Sequence, residues 1–143
     1  MQTFLPYPEF EKSVKVLDFR RLGKQRVEAM QIHNIVSKKR TSGGWINHPI
    51  VKMWEQYPDA LAIYHNYCID EWINRGYKNT MKKIIINDNI IMPKWLGDER
   101  LHSSHKSNLL RKYPEYYKKF NWAETPDLPY FWCEKYEAPQ CSD

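Results

Sequence analysis

Apolar residues recur at helical spacing along most of this 143-residue chain. The clearest stretch runs from 49 to 75, where Ile50, Trp54, Tyr57, Leu61, Tyr64, Cys68 and Trp72 follow one another at intervals of three and four. That is one face of a 3.6-residue period. Asn47 or His48 can cap its start, and Pro49 suits its first position. Pro58 should kink or restart the helix, and Gly76 after Arg75 should end it in a left-handed cap. A shorter row, Phe10, Val14 and Leu17, predicts a helix over 9–17 behind the Pro6 and Pro8 arm, which proline holds extended. Asp18 to Arg21 is expected to connect it to a helix from Leu22 to about Lys38.

That next helix carries polar residues on its apolar side. Its stripe is Leu22, Ala29, Met30, Ile32 and Val36. Arg26 and His33 fall inside the stripe, and Gln25 lies on its edge in the row of Ala29, Ile32 and Val36. Lys24 and Glu28 sit one turn apart on the neighbouring face. Burying a polar group unpaired is costly, so this pattern predicts the wall of a polar pocket. Lys24 and Glu28 also read as a solvated surface pair, and the sequence leaves that alternative open.

A second polar constellation lies on a helix predicted over 98–112 with Asp98 as its cap. His105, Asn108 and Lys112 follow Leu101 on one face, with Ser104 and Arg111 beside them. His102 and His105 have no acidic or thiol partner at ligand spacing, which argues against a metal. A face of His, Ser, Asn, Lys and Arg fits contact with an anion or phosphate. His65 and Cys68, on or beside the stripe of the long helix, read as core residues.

Elsewhere the chain is less regular. Ile84 to Ile91, interrupted by Asn87-Asp88-Asn89, predicts either a short hairpin or a buried loop. Lys38 to Gly44 is a basic glycine-containing loop without Walker spacing. It reads as a flexible connection or as a phosphate-contacting one. Pro114 opens a last short helix to Phe120, and the aromatic tail with Tyr130, Phe131 and Trp132 should wrap the body and fray after Lys135.

Composition narrows the function classes. Net charge is +5 with 6 Trp and 10 Tyr, and the pI is near 9.0. A basic, aromatic-rich domain can hold a phosphate backbone and stack bases. Cys68, Cys133 and Cys141 form no CxxC pair, which argues for a reducing compartment and against a disulfide scaffold. No stretch approaches a membrane span, and the N-terminus lacks the features of a signal peptide. The expectation is one all-α domain over 1–143, intracellular and monomeric.

Several segments together carry a family resemblance. They are the Leu17-to-Val27 entry with Arg26, His48 before the aromatic helix ending Asn74-Arg75-Gly76-Tyr77, and Tyr113-Pro114-Glu115-Tyr116-Tyr117-Lys118. Leu22 to Glu28, Trp95-Leu96-Gly97-Asp98 and Ser104 to Lys112 add to them. The pattern resembles the pyrimidine dimer DNA glycosylases, most closely their bacterial and viral branch. The resemblance implies three main helices, with an N-terminal arm passing between them toward the active site. It also implies excision of a damaged base followed by strand cleavage. The family's nucleophile is the α-amine of a threonine exposed by methionine removal, and a glutamate early in the second main helix assists it. This chain begins Met1-Gln2-Thr3, and the size of Gln2 is expected to keep Met1 in place. Gly23 aligns with the family's glutamate, and Glu28 is the nearby carboxylate.

The leading expectation is a glycosylase with β-lyase activity on a damaged or modified pyrimidine, acting on double-stranded DNA without metal or cofactor. Glu28 would be the acid/base, and Lys24 or the Met1 amine the nucleophile. Arg20, Arg21, Gln25, Arg26, His48, His105, Lys106, Asn108, Arg111, Lys112 and Lys118 would contact DNA. The alternatives are a module that binds distorted DNA without cutting it, and a nucleotide or RNA hydrolase acting through His105. The location expected is the cytoplasm or nucleoid, or a host cell's cytoplasm or nucleus for a viral protein.

Overall fold

The innermost segment is not a helix but the N-terminal arm. A computed structural model describes residues 1–87 and 90–133. In it Gln2 to Pro6 are buried and lie outside any helix or strand. A buried segment outside helix and sheet has no backbone partners of its own, so side chains must supply them. Phe4 N–H donates to Gln25 Oε1 at 2.8 Å, and Leu5 N–H to His105 Nδ1 at 2.8 Å. Gln25 Nε2 donates to the Gln2 carbonyl at 2.8 Å, and the Tyr64 hydroxyl to the Phe4 carbonyl at 2.9 Å. His102 Nδ1 lies 2.7 Å from the Leu5 carbonyl. Trp54 Nε1 donates to Thr3 Oγ1 at 3.0 Å.

The described residues form six α-helices: α1 (Phe10–Val16), α2 (Phe19–Val36), α3 (Pro49–Trp54), α4 (Pro58–Asn74), α5 (Glu99–Lys112) and α6 (Pro114–Tyr117). A 3-10 turn, Lys118–Phe120, follows. The fold is all-helical, with α2, α4 and α5 as its three long members and no strand among the described residues. α2 packs along α4, and α1 also lies on α4. Leu22, Ala29 and Ile32 of α2 meet Leu61, Tyr64 and Cys68 of α4 in the same fully buried core as Trp54, Trp95, Leu101 and Leu109. α5 presents two histidines to the arm, and its Ser104, Ser107 and Asn108 hold the C-terminal strap. Leu128 N–H donates to Ser107 Oγ, Phe131 N–H to Ser104 Oγ, and Asn108 Nδ2 to the Leu128 carbonyl.

Several boundaries differ from the sequence pattern. α2 begins one turn early, at Phe19, because Asp18 rather than a connecting loop occupies its N-cap position. The Asp18 carboxylate makes no cap bond and instead accepts from the Tyr117 hydroxyl and pairs with Arg21. On α2, Gln25, His33 and Ile35 are buried, while Met30 and Val36 are only half-buried. The stripe is rotated toward the arm that Gln25 serves. The long apolar helix restarts at Pro58, leaving α3 and α4, and His48 rather than Asn47 caps α3 by accepting from Ile50 N–H at 3.0 Å. Gly76 closes α4 at φ 90°. The described residues of the isoleucine-rich segment, 84–87 and 90–91, form no strand and are half-buried to exposed, with Ile85 89% exposed. Asp88, Asn89, Cys141 and the expected fraying after Lys135 lie outside the described residues.

Two outcomes follow from the buried arm. Gln25→Ala strands the Phe4 N–H and the Gln2 carbonyl, and chemical denaturation should show a loss of about 2–4 kcal/mol. His105 is fully buried, and desolvation, followed by the neighbouring His102, pushes its imidazole down to about 3. Burial also lowers His33, His65 and His102. Between about pH 3 and the ordinary histidine value near 6.5, the unfolded chain therefore binds protons that the folded chain refuses. Stability is full above about pH 6.5 and should fall below it by about 1.4 kcal/mol per pH unit for His105 alone, read as the urea midpoint against pH.

Candidate nucleic-acid site

The outer end of the arm opens into a cleft of about 480 Å³ between α2, the end of α5 and the strap. Its floor is Gln2, Phe4 and Gln25, and Met1 stands at its edge. Glu28 sits beside the arm: its Oε2 accepts the Gln2 N–H at 3.2 Å and Gln25 Nε2 at 3.3 Å. Glu28 makes no ion pair with Lys24 among the described residues, so the solvated-pair alternative fails. The register explains this. Gly23 and Glu28 are five residues apart, about 140° around the helix, so only one of them can face the arm. Gly23 turns toward Trp72, where a Cβ would come within 3.1 Å of the indole. A carboxylate on this helix reaches the arm from position 28, not from position 23.

Four cations rim the cleft: Arg20, Arg21, Lys24 and Lys112. Desolvation and then Arg21, Arg111 and Lys24 lower the Lys112 ammonium, while Glu28 works the other way. Cations from α2 and α5 thus crowd one opening, and among the described residues Arg21 alone of the four has an ion pair, with Asp18 at 3.2 Å. Like charges held together without an anion cost free energy that a bound phosphate recovers.

An aromatic wall leads out of the cleft. Tyr130 lines it, Trp132 lies 5.5 Å from Tyr130 between ring centres, and His48 meets Trp132 edge-on at 5.4 Å. Burial, and then the N-terminal amine, lower the His48 imidazole, and Glu28 opposes them. His48 therefore feels both groups at the mouth of the cleft. The sequence pattern passed over Gln2, Tyr130 and Trp132. The aromatic run at 130–132 was the available signal, but nothing local ties it to residues 1 and 2.

The other expected DNA contacts are redistributed. His105 and Asn108 are fully buried, bonded to the arm and the strap, and cannot meet DNA. The polar face of α5 serves internal backbone rather than an external anion. Gln25 is 1% exposed and reaches the cleft only as its floor. Arg26 lies on the opposite flank of α2. Its guanidinium stacks over Trp72 at 4.1 Å and donates to Asn79 Oδ1 at 2.8 Å, a structural role. Lys106 lies over the Tyr7 ring at 5.0 Å, and Lys118 pairs with Glu115 at 3.0 Å, both away from the cleft. Arg111 bonds Asn108 and the strap carbonyls of Pro126 and Leu128, beside Lys112.

A helical fold threaded by its own N-terminal arm, with a carboxylate and a cationic rim at the arm's end, is a frame suited to nucleic acid. The sequence profile of the pyrimidine dimer DNA glycosylases matches residues 1–85, more than half of the chain, and the chain belongs to that family of DNA-repair glycosylases. The matched region contains the arm, Glu28, His48 and all of α1 to α4. Neither a curated protein nor a solved structure matches the chain. No described helix is long and apolar enough to cross a membrane.

With Arg20, Arg21, Lys24 and Lys112 each meeting one phosphate, log K for duplex DNA should fall with log salt at a slope of about −3.6. Lys112→Ala should flatten that slope by about one unit. Lys118→Ala, away from the cleft, should leave it unchanged.

Proposed function

We propose that the protein excises a damaged or modified pyrimidine from double-stranded DNA and then cuts the strand through an imine. The observation that carries this reading is the hydrogen bond from Gln2 N–H to Glu28 Oε2 at 3.2 Å. It sets the amine of Met1 one residue from a carboxylate, at the edge of a cationic cleft. The amine attacks C1′ of the deoxyribose, the base leaves with the glycosidic electron pair and takes a proton from solvent, and the bound amine gives up one proton; protonation of the ring oxygen O4′ then breaks the C1′–O4′ bond and leaves the opened sugar as a protonated imine. Removal of a C2′ proton then expels the 3′ phosphate by β-elimination. Glu28 is placed to give the proton that opens the sugar and to take the C2′ proton. Lys24 is the second amine lining the cleft. Glu28 bonds the arm and not Lys24, which favours Met1.

The four rim cations hold the phosphates on either side of the damaged nucleotide, which must leave the stack before an amine can reach C1′. The working form is a monomer on lesion-bearing duplex, in the compartment where that DNA lies. No metal or cofactor enters this chemistry.

Glu28→Gln keeps the shape and removes the charge. Strand cleavage should fall by about a hundredfold or more while binding is retained. Borohydride should trap the wild type covalently on lesion duplex and should trap Lys24→Ala as well. A protein with its N-terminal amine acetylated should give no adduct. Wild-type cleavage by Glu28→Gln removes Glu28 from the chemistry, whereas no adduct and no cleavage with any lesion duplex leaves a module that binds distorted DNA without cutting it.

A further inference from the structure

Trp45 is the most unusual residue on the surface. Its side chain belongs to a residue 54% exposed, and its backbone is left-handed at φ 71°. A bulky residue there pays a steric cost that glycine would avoid, and such strain persists only where the surrounding structure fixes it. Here the fixing is visible on both sides. Arg40 Nη2 donates to the Gly44 carbonyl and Arg40 Nε to the Ser42 carbonyl at 3.1 Å, closing the loop before Trp45. The Trp45 carbonyl accepts the His48 N–H at 2.9 Å, and His48 in turn caps α3. The indole meets the His48 ring at 5.3 Å, 63° from parallel. It is the outermost ring of the wall that begins at Tyr130 in the cleft and passes through Trp132 and His48.

We propose that Trp45 is a base-stacking wedge, presented by a pre-strained loop at the mouth of the cleft, that holds apart the base step from which the damaged nucleotide is drawn. The inference rests on the proposed function for its substrate, duplex DNA. A flat indole offers every base the same stacking surface, so the wedge supplies opening without reading sequence. Fixing the loop in advance means that little ordering remains to be done when DNA arrives. The cations Lys38, Lys39 and Arg40 precede the tip in sequence. This assigns the glycine-containing basic loop a part in the site beyond a flexible connection.

The test uses a duplex with a stable tetrahydrofuran abasic site and 2-aminopurine as the neighbouring base, whose emission rises when it unstacks. Saturating wild-type protein should raise the emission. Trp45→Gly should cut the rise by about tenfold, and Trp45→Phe, which keeps a flat ring, should restore at least half of it. Because glycine relieves the left-handed strain, the W45G thermal midpoint should be no lower than the wild type's. An undiminished rise with W45G, no rise with wild type, or a W45G midpoint several degrees below wild type overturns the wedge. Cleavage of a thymine-dimer duplex, run in parallel, reads the catalytic proposal separately. A wild type that fails to cleave but loses its emission rise in W45G refutes the chemistry and keeps the wedge.

Discussion

The structure depends on satisfying the backbone of one buried segment that belongs to no helix or sheet. Residues 2 to 5 lie inside a helical body, and helices have no free edge to offer them. The polar atoms of that segment turn to side chains instead: Gln25, Glu28, Tyr64, His102, His105 and the segment's own Gln2. This accounts for neutral histidines in the core. His102 donates from Nδ1 to Leu5 and accepts the Gly97 N–H at Nε2, while His105 accepts at Nδ1. Each ring is thus held in a different tautomer by its partners. Protonating His105 would turn its acceptor into a donor facing the Leu5 N–H, so the acid lability of the fold and the seating of the arm are one property.

That seating also sets the site. The groups that hold the outermost residues of the arm, Gln25 and Glu28, are the floor and flank of the cleft. A change that loosens the arm therefore moves the amine end relative to the carboxylate, and stability and chemistry should respond together. The rim gathers like charges. Desolvation and then Arg21, Arg111 and Lys24 lower the Lys112 ammonium, and Glu28 opposes them. Trp45, at the far end of the row of rings that starts in the cleft, has a strained backbone held by Arg40 and His48.

α2 separates these roles by angle. One side, Leu22, Ala29 and Ile32, is core. The next, Gln25 and Glu28, serves the arm, and Lys24 with Arg20 faces the cleft. Gly23 and Arg26 turn to Trp72 on the far flank. The sequence pattern placed Arg26 and Gln25 together as inward polar residues. Their directions differ by about 100°, one residue of helical rotation, and that is enough to send one to the arm and the other to an aromatic cluster.

The sequence by itself determined the elements: the 3.6-residue stripes, the Pro58 restart, the Gly76 cap, the Asp98 cap of α5 and the all-helical class are local, set by spacing and by backbone preferences of single residues. It also marked α2 as a helix with polar residues on its inner side, and the family resemblance drew the arm toward them. Only the tertiary structure decided what each polar residue pairs with. Gln25 and Phe4 are 21 residues apart, His105 and Leu5 are 100 apart, and Asn108 and Leu128 are 20 apart. A histidine that accepts from a buried amide and one that meets a phosphate look the same in a sequence. The difference lies in whether another segment of the chain has already filled the place of the ligand, and that is a fact of packing, not of spacing.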